Sequence, residues 1–296
     1  MKKAVIIFNS VKRKSTFLQN IDLLIKGLNE RGYETVVRAT LSSTDVEDYI
    51  SMLTDIDLLV GAGGDGTINE IVNAVSNNSN IDPYVLFFPT GTVNDFATSL
   101  LLQNDVNYGL SLIDKNKFRR VDSARIGDST YFNYVCAFGP FTSASYTVSH
   151  TMKSELGALA YVLKGITEVP AITKTHHVEA VVDGREISGD FNFGMVVNSH
   201  SVGGIKSFFK AADITDGEYT LFLLKNSAQN FAKLPKVIVS GIGNEYVDDG
   251  IVCISFKKAS IKIDEDVNWS LDGERGPVGS FDVEVVPANV KIYTEL

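Results

Sequence analysis

The sequence is poor in cysteine and histidine. There are two cysteines, Cys136 and Cys253, far apart and each in an apolar run, and four histidines. The cysteine pattern predicts buried free thiols rather than a disulfide framework, which suits a reducing compartment. No Cys/His cluster has the spacing of a structural zinc site. Long apolar runs are also missing. None reaches bilayer length, and the opening MKKAVIIFNS lacks the apolar segment and small-residue cleavage site of an export signal. A soluble, cytoplasmic protein is the expectation. Basic residues are the minority, 27 Lys and Arg against 36 Asp and Glu, for a net charge of −9. That balance argues against nucleic acid as a partner and confines any membrane contact to a local patch.

What is present is ample apolar material. A chain of 296 residues, 44% hydrophobic and 21% charged, can bury a sizeable core, and its length favours two domains. Over the first 125 residues, strand and helix signals alternate. AVIIF (4–8) reads as a short buried strand, and YETVV (33–37), IDLLV (56–60) and YVLFF (84–88) as the second, third and fourth strands. Phe17, Leu18, Ile21, Leu24, Ile25 and Leu28 recur at helical spacing up to a stop near Gly32. TDVE (44–47) has the capping-box pattern and predicts a helix through Leu53. Alternating units of this kind predict a doubly wound α/β domain over 1–125, with a largely parallel sheet. Ligands of such sheets bind beyond the carboxyl ends of the strands. From 126 to 286 the texture becomes β-rich. The Asp-Gly pairs at 183–184 and 272–273 signal hairpins, and Phe281, Val283 and Val285 alternate on one face. Helix-like stretches near 153–168 and 227–240 interrupt a second domain expected to be a mainly antiparallel β-sandwich. The last residues, 287–296, are candidates for a return to the first domain.

The most informative stretch is VGAGGDGTINE, residues 60–70. Residues 61–66 satisfy G-x-G-x-x-G between a strand and a helix, the pattern of dinucleotide-binding folds. That reading needs an acidic residue at the end of the next strand, and Asp82 stands before that strand instead. No G-K-[ST] follows, so a Walker loop is also excluded. Glycines here still let backbone N–H groups converge on a phosphate at a helix N-terminus. An aspartate would repel a bare phosphate, so Asp65 makes sense beside a Mg²⁺ ion. Alternatively it caps the helix expected over 67–78.

GGDGTINE together with PTGTVNDFA (89–97) resembles the diacylglycerol kinase catalytic-domain family, specifically its soluble bacterial lipid kinases. VDSARI (121–126), LGALAYVLKGI (156–166), VVNSHSVGGIKSFFKAADITDGEYTL (196–221) and LDGE (271–274) follow in the family order. GGDGT alone is shared with NAD kinases. The resemblance implies an ATP- and Mg²⁺-dependent kinase that phosphorylates a lipid hydroxyl, with diacylglycerol as the leading acceptor. It implicates Gly63, Gly64, Asp65, Gly66, Thr67 and Asn69 in ATP binding, with Thr92, Thr40 and Asn9 as further contacts. Lys14 and Lys164 match basic residues that neutralise phosphate or join the acidic network. Asp65, Asp95 and Asp122 match the network around the catalytic Mg²⁺. Glu274 matches the general base, with Asp272 in support, and such a base commonly contributes ~10²–10⁴-fold. DITDGE (213–218) matches a second Mg²⁺ site, in which Asp216 would ligate by side chain and Asp213 and Glu218 by carbonyl. ATP falls to the first domain and the acceptor to the second.

The first loop departs from the family. N-P-x-x-G is common there, whereas this chain reads NSVKRK over 9–14. The tight turn is lost, and Lys12, Arg13 and Lys14 read by default as a solvated face, with ATP phosphates or anionic lipid headgroups as the alternatives. Because no anchor is expected, the lipid must be reached by peripheral contact with the inner membrane face. Phe208 and Phe209, beside Lys206 and Lys210, are candidates for that contact. The family also leaves room for a homodimer. Rival readings are an NAD kinase, a catalytically idle nucleotide- or lipid-binding protein and, more distantly, a dehydrogenase.

Overall fold

The computed structural model describes residues 1–9, 16–40, 42–139, 174–199, 213–225, 227, 229–230, 233 and 245–296. The helical stretch expected at 153–168, most of that at 227–240, and Phe208, Phe209, Lys206 and Lys210 lie outside these residues. The chain divides into two compact units, Met1–Ser123 with Pro287–Leu296, and Ala124–Val286.

Unit one is α/β. In chain order it contains β1 (Lys2–Asn9), α1 (Thr16–Gln19), α2 (Ile21–Glu30), β2 (Tyr33–Thr40), α3 (Ser43–Ser51) and β3 (Leu58–Gly63). Then come α4 (Asp65–Asn77), β4 (Tyr84–Pro89), α5 (Asp95–Ser99), α6 (Val106–Asp114) and β5 (Phe118–Ile126), whose last residues enter unit two. β1 to β4 are parallel, in the order β2-β1-β3-β4. The chain's last strand, β17 (Phe281–Tyr293), returns to add Lys291 and Ile292 opposite Tyr84 and Val85 of β4. The runs of β1, β3 and β4 are buried, as central parallel strands require, whereas β2 is the sheet edge and exposes Val36 and Val37. One core cluster joins Ala4, Ile6, Leu58, Val60 and Leu86 to Leu24 and Leu28 of α2 and Leu110 of α6. Ile68, Ile71, Val72 and Val75 of α4 are buried at helical spacing.

Local details correct the sequence reading. The apolar periodicity from Phe17 to Leu28 is cut at Asn20 into two helices, since Asn20 leaves helical geometry (ψ 9°). The capping box of α3 is built by Ser42 and Asp45, not by Thr44 and Glu47, and the helix stops at Ser51, short of Leu53. Ser42 Oγ accepts from Asp45 N–H at 3.3 Å, and Asp45 Oδ2 accepts from Ser42 N–H at 3.1 Å. The β3 strand runs three residues into the glycine motif, Gly61 to Gly63.

Unit two is antiparallel. Its strands are β6 (Thr130–Phe132), β7 (Val135–Phe138), β8 (His176–Val182), β9 (Arg185–Phe191), β10 (Phe193–Val197) and β11 (Tyr219–Leu224), followed by β12 (Tyr246–Val247), β13 (Ile251–Phe256), β14 (Lys258–Lys262), β15 (Asn268–Leu271) and β16 (Glu274–Val278). One sheet runs β12-β13-β11-β10-β7-β15-β16. Elsewhere β14 pairs with β8 and with the first part of β17, and β8 pairs with β9. Both Asp-Gly hairpins form, with positive φ at Asp183 (46°), Gly184 (85°), Asp272 (49°) and Gly273 (86°). The core centres on Trp269, Phe138, Phe132 and Tyr219. Cys136 and Cys253 are free and buried. Burial alone pushes the Cys253 thiol up to about 11.

Candidate active site

Strand register gathers most of the implicated residues of unit one along one edge. Asn9, the last residue of β1, lies opposite Thr40, the last of β2. Phe8 lies opposite Ala62, and Gly63 opposite Pro89, so the row continues through the ends of β3 and β4. At ~4.8 Å per strand the row spans about 14 Å. All four ends are carboxyl ends, where open α/β sheets bind ligands. Thr40 is buried, and its hydroxyl donates to the Phe8 carbonyl at 3.3 Å. The side chain of Asn9, together with Lys14 and Lys164, lies outside the described residues.

The glycines have two different jobs. A Cβ on Gly61 would come within 2.4 Å of Ile71 Cδ1, and one on Gly63 within 2.3 Å of Thr67 Oγ1. These two positions allow α4 to sit close on β3, so packing alone accounts for them. Gly64 and Gly91 instead let two loops touch, because a Cβ on Gly91 would lie 2.6 Å from Gly64 Cα. The contact is pinned by Thr90 and Gly91 N–H groups donating to the Gly63 carbonyl at 2.7 and 3.2 Å. Gly91 and Asn94 clamp each other, N–H to Oδ1 at 3.1 Å and Nδ2–H to carbonyl at 2.9 Å. Thr92, between them, is exposed.

Asp65 does not cap its own helix. Gly64 is the N-cap of α4, without a side-chain bond, and Asp65 is the first helical residue. Its Oδ1 accepts from the Phe96 N–H at 3.2 Å, in the first turn of α5. Asn94, the N-cap of α5, is left-handed (φ 56°, ψ 48°) and makes no cap bond, its side chain being committed to Gly91. Asp65 therefore supplies from the neighbouring loop the acceptor that α5 lacks. Burial, and then the charge of Asp95, hold its carboxyl above the ordinary carboxylate range, against the pull of the Phe96, Asp95 and Asn94 N–H groups. Asp95 is itself 3% exposed. Two carboxylates that repel one another while partly dehydrated form a donor set suited to a hard cation. Meanwhile the first-turn N–H groups of Asp65, Gly66 and Thr67 have no partner within the helix, which suits phosphate oxygens.

The other implicated residues are held differently. Asp122, on β5, is buried and accepts from Ala288 N–H at 2.7 Å. Asn69 Oδ1 is engaged by Asn73 Nδ2–H at 2.8 Å, one turn along α4. Asp82 stands before β4 and pairs with Arg120 and Lys291 at 2.9 and 3.0 Å, away from the glycine edge. That removes the ribose-binding acid a dehydrogenase would need.

In unit two, Glu274 opens β16 and is exposed. Its position is set by Asp272, which is 1% exposed and accepts from Asn133, Tyr134 and Val135 N–H groups at 2.6, 3.0 and 2.9 Å. The sequence reading cast Asp272 only as a supporter. The long-range clamp had no sequence signal, since its partners lie 137–139 residues away. In the 213–218 turn, Asp213 Oδ1 accepts from Thr215 N–H and hydroxyl at 3.0 and 2.7 Å. Asp216 Oδ1 accepts from Glu218 N–H at 2.9 Å. Asp216, expected to ligate a second Mg²⁺ by side chain, and Asp213, expected to do so by carbonyl, thus both brace the turn through their side chains.

The sequence model of the diacylglycerol kinase catalytic domain matches residues 3–126. A diacylglycerol kinase from Bacillus subtilis is 30% identical over 280 residues, covering 93% of this chain and 91% of the relative. The chain belongs to the diacylglycerol kinase family. It is accordingly a kinase. A crystal structure of a diacylglycerol kinase from Bacillus anthracis superposes with a TM-score of 0.73 at 20% identity, covering 99% of this chain and 97% of the other. An NAD kinase from Archaeoglobus fulgidus, solved in complex with ATP, reaches a TM-score of 0.52 at 12% identity, with 99% and 93% coverage. That likeness extends to the fold alone. Among the described residues, no helix is long and apolar enough to cross a membrane.

Proposed function

We propose that this kinase transfers the γ-phosphoryl group of ATP to a lipid hydroxyl, with diacylglycerol as acceptor and phosphatidic acid as product. The observation that carries the reading is the single edge bearing Thr40, Asn9, the Gly63–Gly64 turn into α4 and the Thr90–Asn94 loop, with Asp65 set against Asp95. The first-turn N–H groups of α4 hold the triphosphate, and Thr92, Thr40 and Asn9 orient the nucleotide. Asp65 and Asp95 would hold Mg²⁺, which when bound would offset the charge developing on the phosphates. Glu274 accepts the proton of the acceptor hydroxyl as the phosphoryl group arrives. Asp272 positions it by fixing the turn that precedes it. Asp213, Asp216 and Glu218 serve a second Mg²⁺. The lipid is drawn from the inner membrane face by peripheral contact.

An acceptor panel tests this. ATP consumption is measured with dispersed diacylglycerol, phosphatidylglycerol, a sphingoid alcohol and NAD, with Mg²⁺ and after chelation. Turnover with diacylglycerol that stops on chelation supports the reading. Turnover with NAD alone would favour an NAD kinase, and ATP binding without turnover an idle binding protein.

A further inference from the structure

Unit two carries a donor cluster unrelated to the glycine edge. His176, the first residue of β8, is almost buried, its side chain 9% exposed. The ring stands edge-on to Phe138, with centroids 5.9 Å apart and planes at 88°. Its Nδ1 lies 2.9 Å from Asp264 Oδ2. Asp264 and Asp266 belong to the turn between β14 and β15, which Val267 N–H closes onto the Asp264 carbonyl at 3.2 Å. Ser280 brackets the start of this turn, its Oγ accepting from Ile263 N–H at 3.0 Å and donating to the Ile263 carbonyl at 3.1 Å. Gly279, with φ 72°, packs beneath it, since a Cβ there would lie 3.2 Å from Glu265 Cα. One nitrogen and two carboxylate oxygens of His176, Asp264 and Asp266 thus lie within 4.8 Å of one another.

We infer that His176, Asp264 and Asp266 form a zinc site that ties the start of β8 to the β14–β15 turn. An imidazole nitrogen with two carboxylates suits Zn²⁺, whose fourth position takes water. Mg²⁺ prefers all-oxygen shells, so the metal of phosphoryl transfer does not compete effectively here. Tetrahedral Zn²⁺ needs donor atoms ~3.4 Å apart, so the carboxylates must shift, a pair at the 4.8 Å limit closing by about 1.4 Å and the 2.9 Å Nδ1–Asp264 contact opening slightly. Both are able to, being half-exposed and 71% exposed at Asp264 and Asp266. To ligate, Nδ1 presents its lone pair to the metal and the ring carries its proton on Nε2. The group in the way is Lys174, whose Nζ pairs with Asp266 Oδ2 at 2.8 Å. Its side chain is 59% exposed, and an ion pair of that kind is readily displaced. Charge favours the exchange, because Asp264, Glu265 and Asp266 follow one another against this one lysine.

The test uses the full chain, stripped with a chelator and held in millimolar Mg²⁺ to fill magnesium sites. Zn²⁺ is titrated by calorimetry, and Co²⁺ is added as a spectroscopic probe of tetrahedral geometry. The expected result is one Zn²⁺ per chain, a Zn²⁺-dependent rise in Tm, and tetrahedral Co²⁺ absorption. Asp264→Asn and Asp266→Asn, both at exposed positions, should abolish all three, while His177→Gln should leave them intact. Lys174→Met should bind Zn²⁺ several-fold more tightly. No stoichiometric binding up to millimolar Zn²⁺, binding that survives both aspartate changes, or weaker binding in Lys174→Met would each overturn the site.

Discussion

Gly91→Ala probes the contact that joins the two loops of unit one. The added Cβ would sit 2.6 Å from Gly64 Cα and 2.6 Å from Asn94 Oδ1, where ordinary contact is 3.4–4 Å. Asn94 can rotate, but Gly64 offers only backbone. The loops must therefore part by roughly 0.8 Å, against the hydrogen bonds of Thr90 and Gly91 to the Gly63 carbonyl. Overpacking of this kind costs about 1–3 kcal/mol. At about 2–4 °C for each kcal/mol, Tm should fall by roughly 2–12 °C. Activity should fall further, because Asp65 reaches Phe96 across that contact and a displacement of ~1 Å can cost ~10²-fold in rate. Differential scanning fluorimetry and steady-state turnover measure the two effects on one preparation. Wild-type Tm together with wild-type turnover would refute the argument that Gly91 is there for close backbone approach.

Other outcomes follow from the same geometry. Asp65 has a folded-state pKa above its unfolded value, so the native state holds the proton more tightly and stability is lost as pH rises through the folded pKa. Asp65→Asn removes that slope: its metal-free Tm at pH 7 should equal or exceed wild type, the difference shrinking toward pH 4, while Mg²⁺ should raise the Tm of wild type more than that of Asp65→Asn. A wild-type Tm that rises through that window relative to Asp65→Asn would show the sign is wrong. Asp272→Ala leaves three backbone donors without their acceptor, at ~1–3 kcal/mol for each orphaned group, so chemical denaturation should show a loss of at least about 3 kcal/mol. Asp272→Asn, which tolerates the left-handed φ of 49°, should recover part of it; equal losses in the two would place the cost elsewhere.

The sequence was most legible where structure is local. Buried strands stand out as apolar runs, and the Asp-Gly turns at 183–184 and 272–273 name their own hairpins because few residues tolerate positive φ. Boundaries were less legible. Nothing in the spacing of Phe17 to Leu28 marks the break at Asn20, and Ser42 precedes Thr44 as an equally good cap. Within the site, the motif did not show that some of its glycines also have packing reasons. Gly61 and Gly63 are demanded by Ile71 and Thr67, neighbours that lie beyond the motif or at its edge. Contacts made across the fold had no local signal at all. Asp65 reaches 31 residues ahead to Phe96, Asp272 reaches back to 133–135, and Asp264 meets His176 across 88 residues. Histidine spacing argued against a zinc site for that reason, since two of the three donors come from a distant turn.

The central claim is that the glycine edge and Glu274 serve one phosphoryl transfer to a lipid. Its most direct test is transfer of label from [γ-³²P]ATP to diacylglycerol in mixed micelles with Mg²⁺, comparing wild type, Asp65→Asn and Glu274→Gln. Wild type should yield labelled phosphatidic acid, Asp65→Asn none, and Glu274→Gln ~10²–10⁴-fold less with unchanged ATP affinity. Labelled lipid formed at the wild-type rate by either variant, or none formed by wild type, would contradict the account.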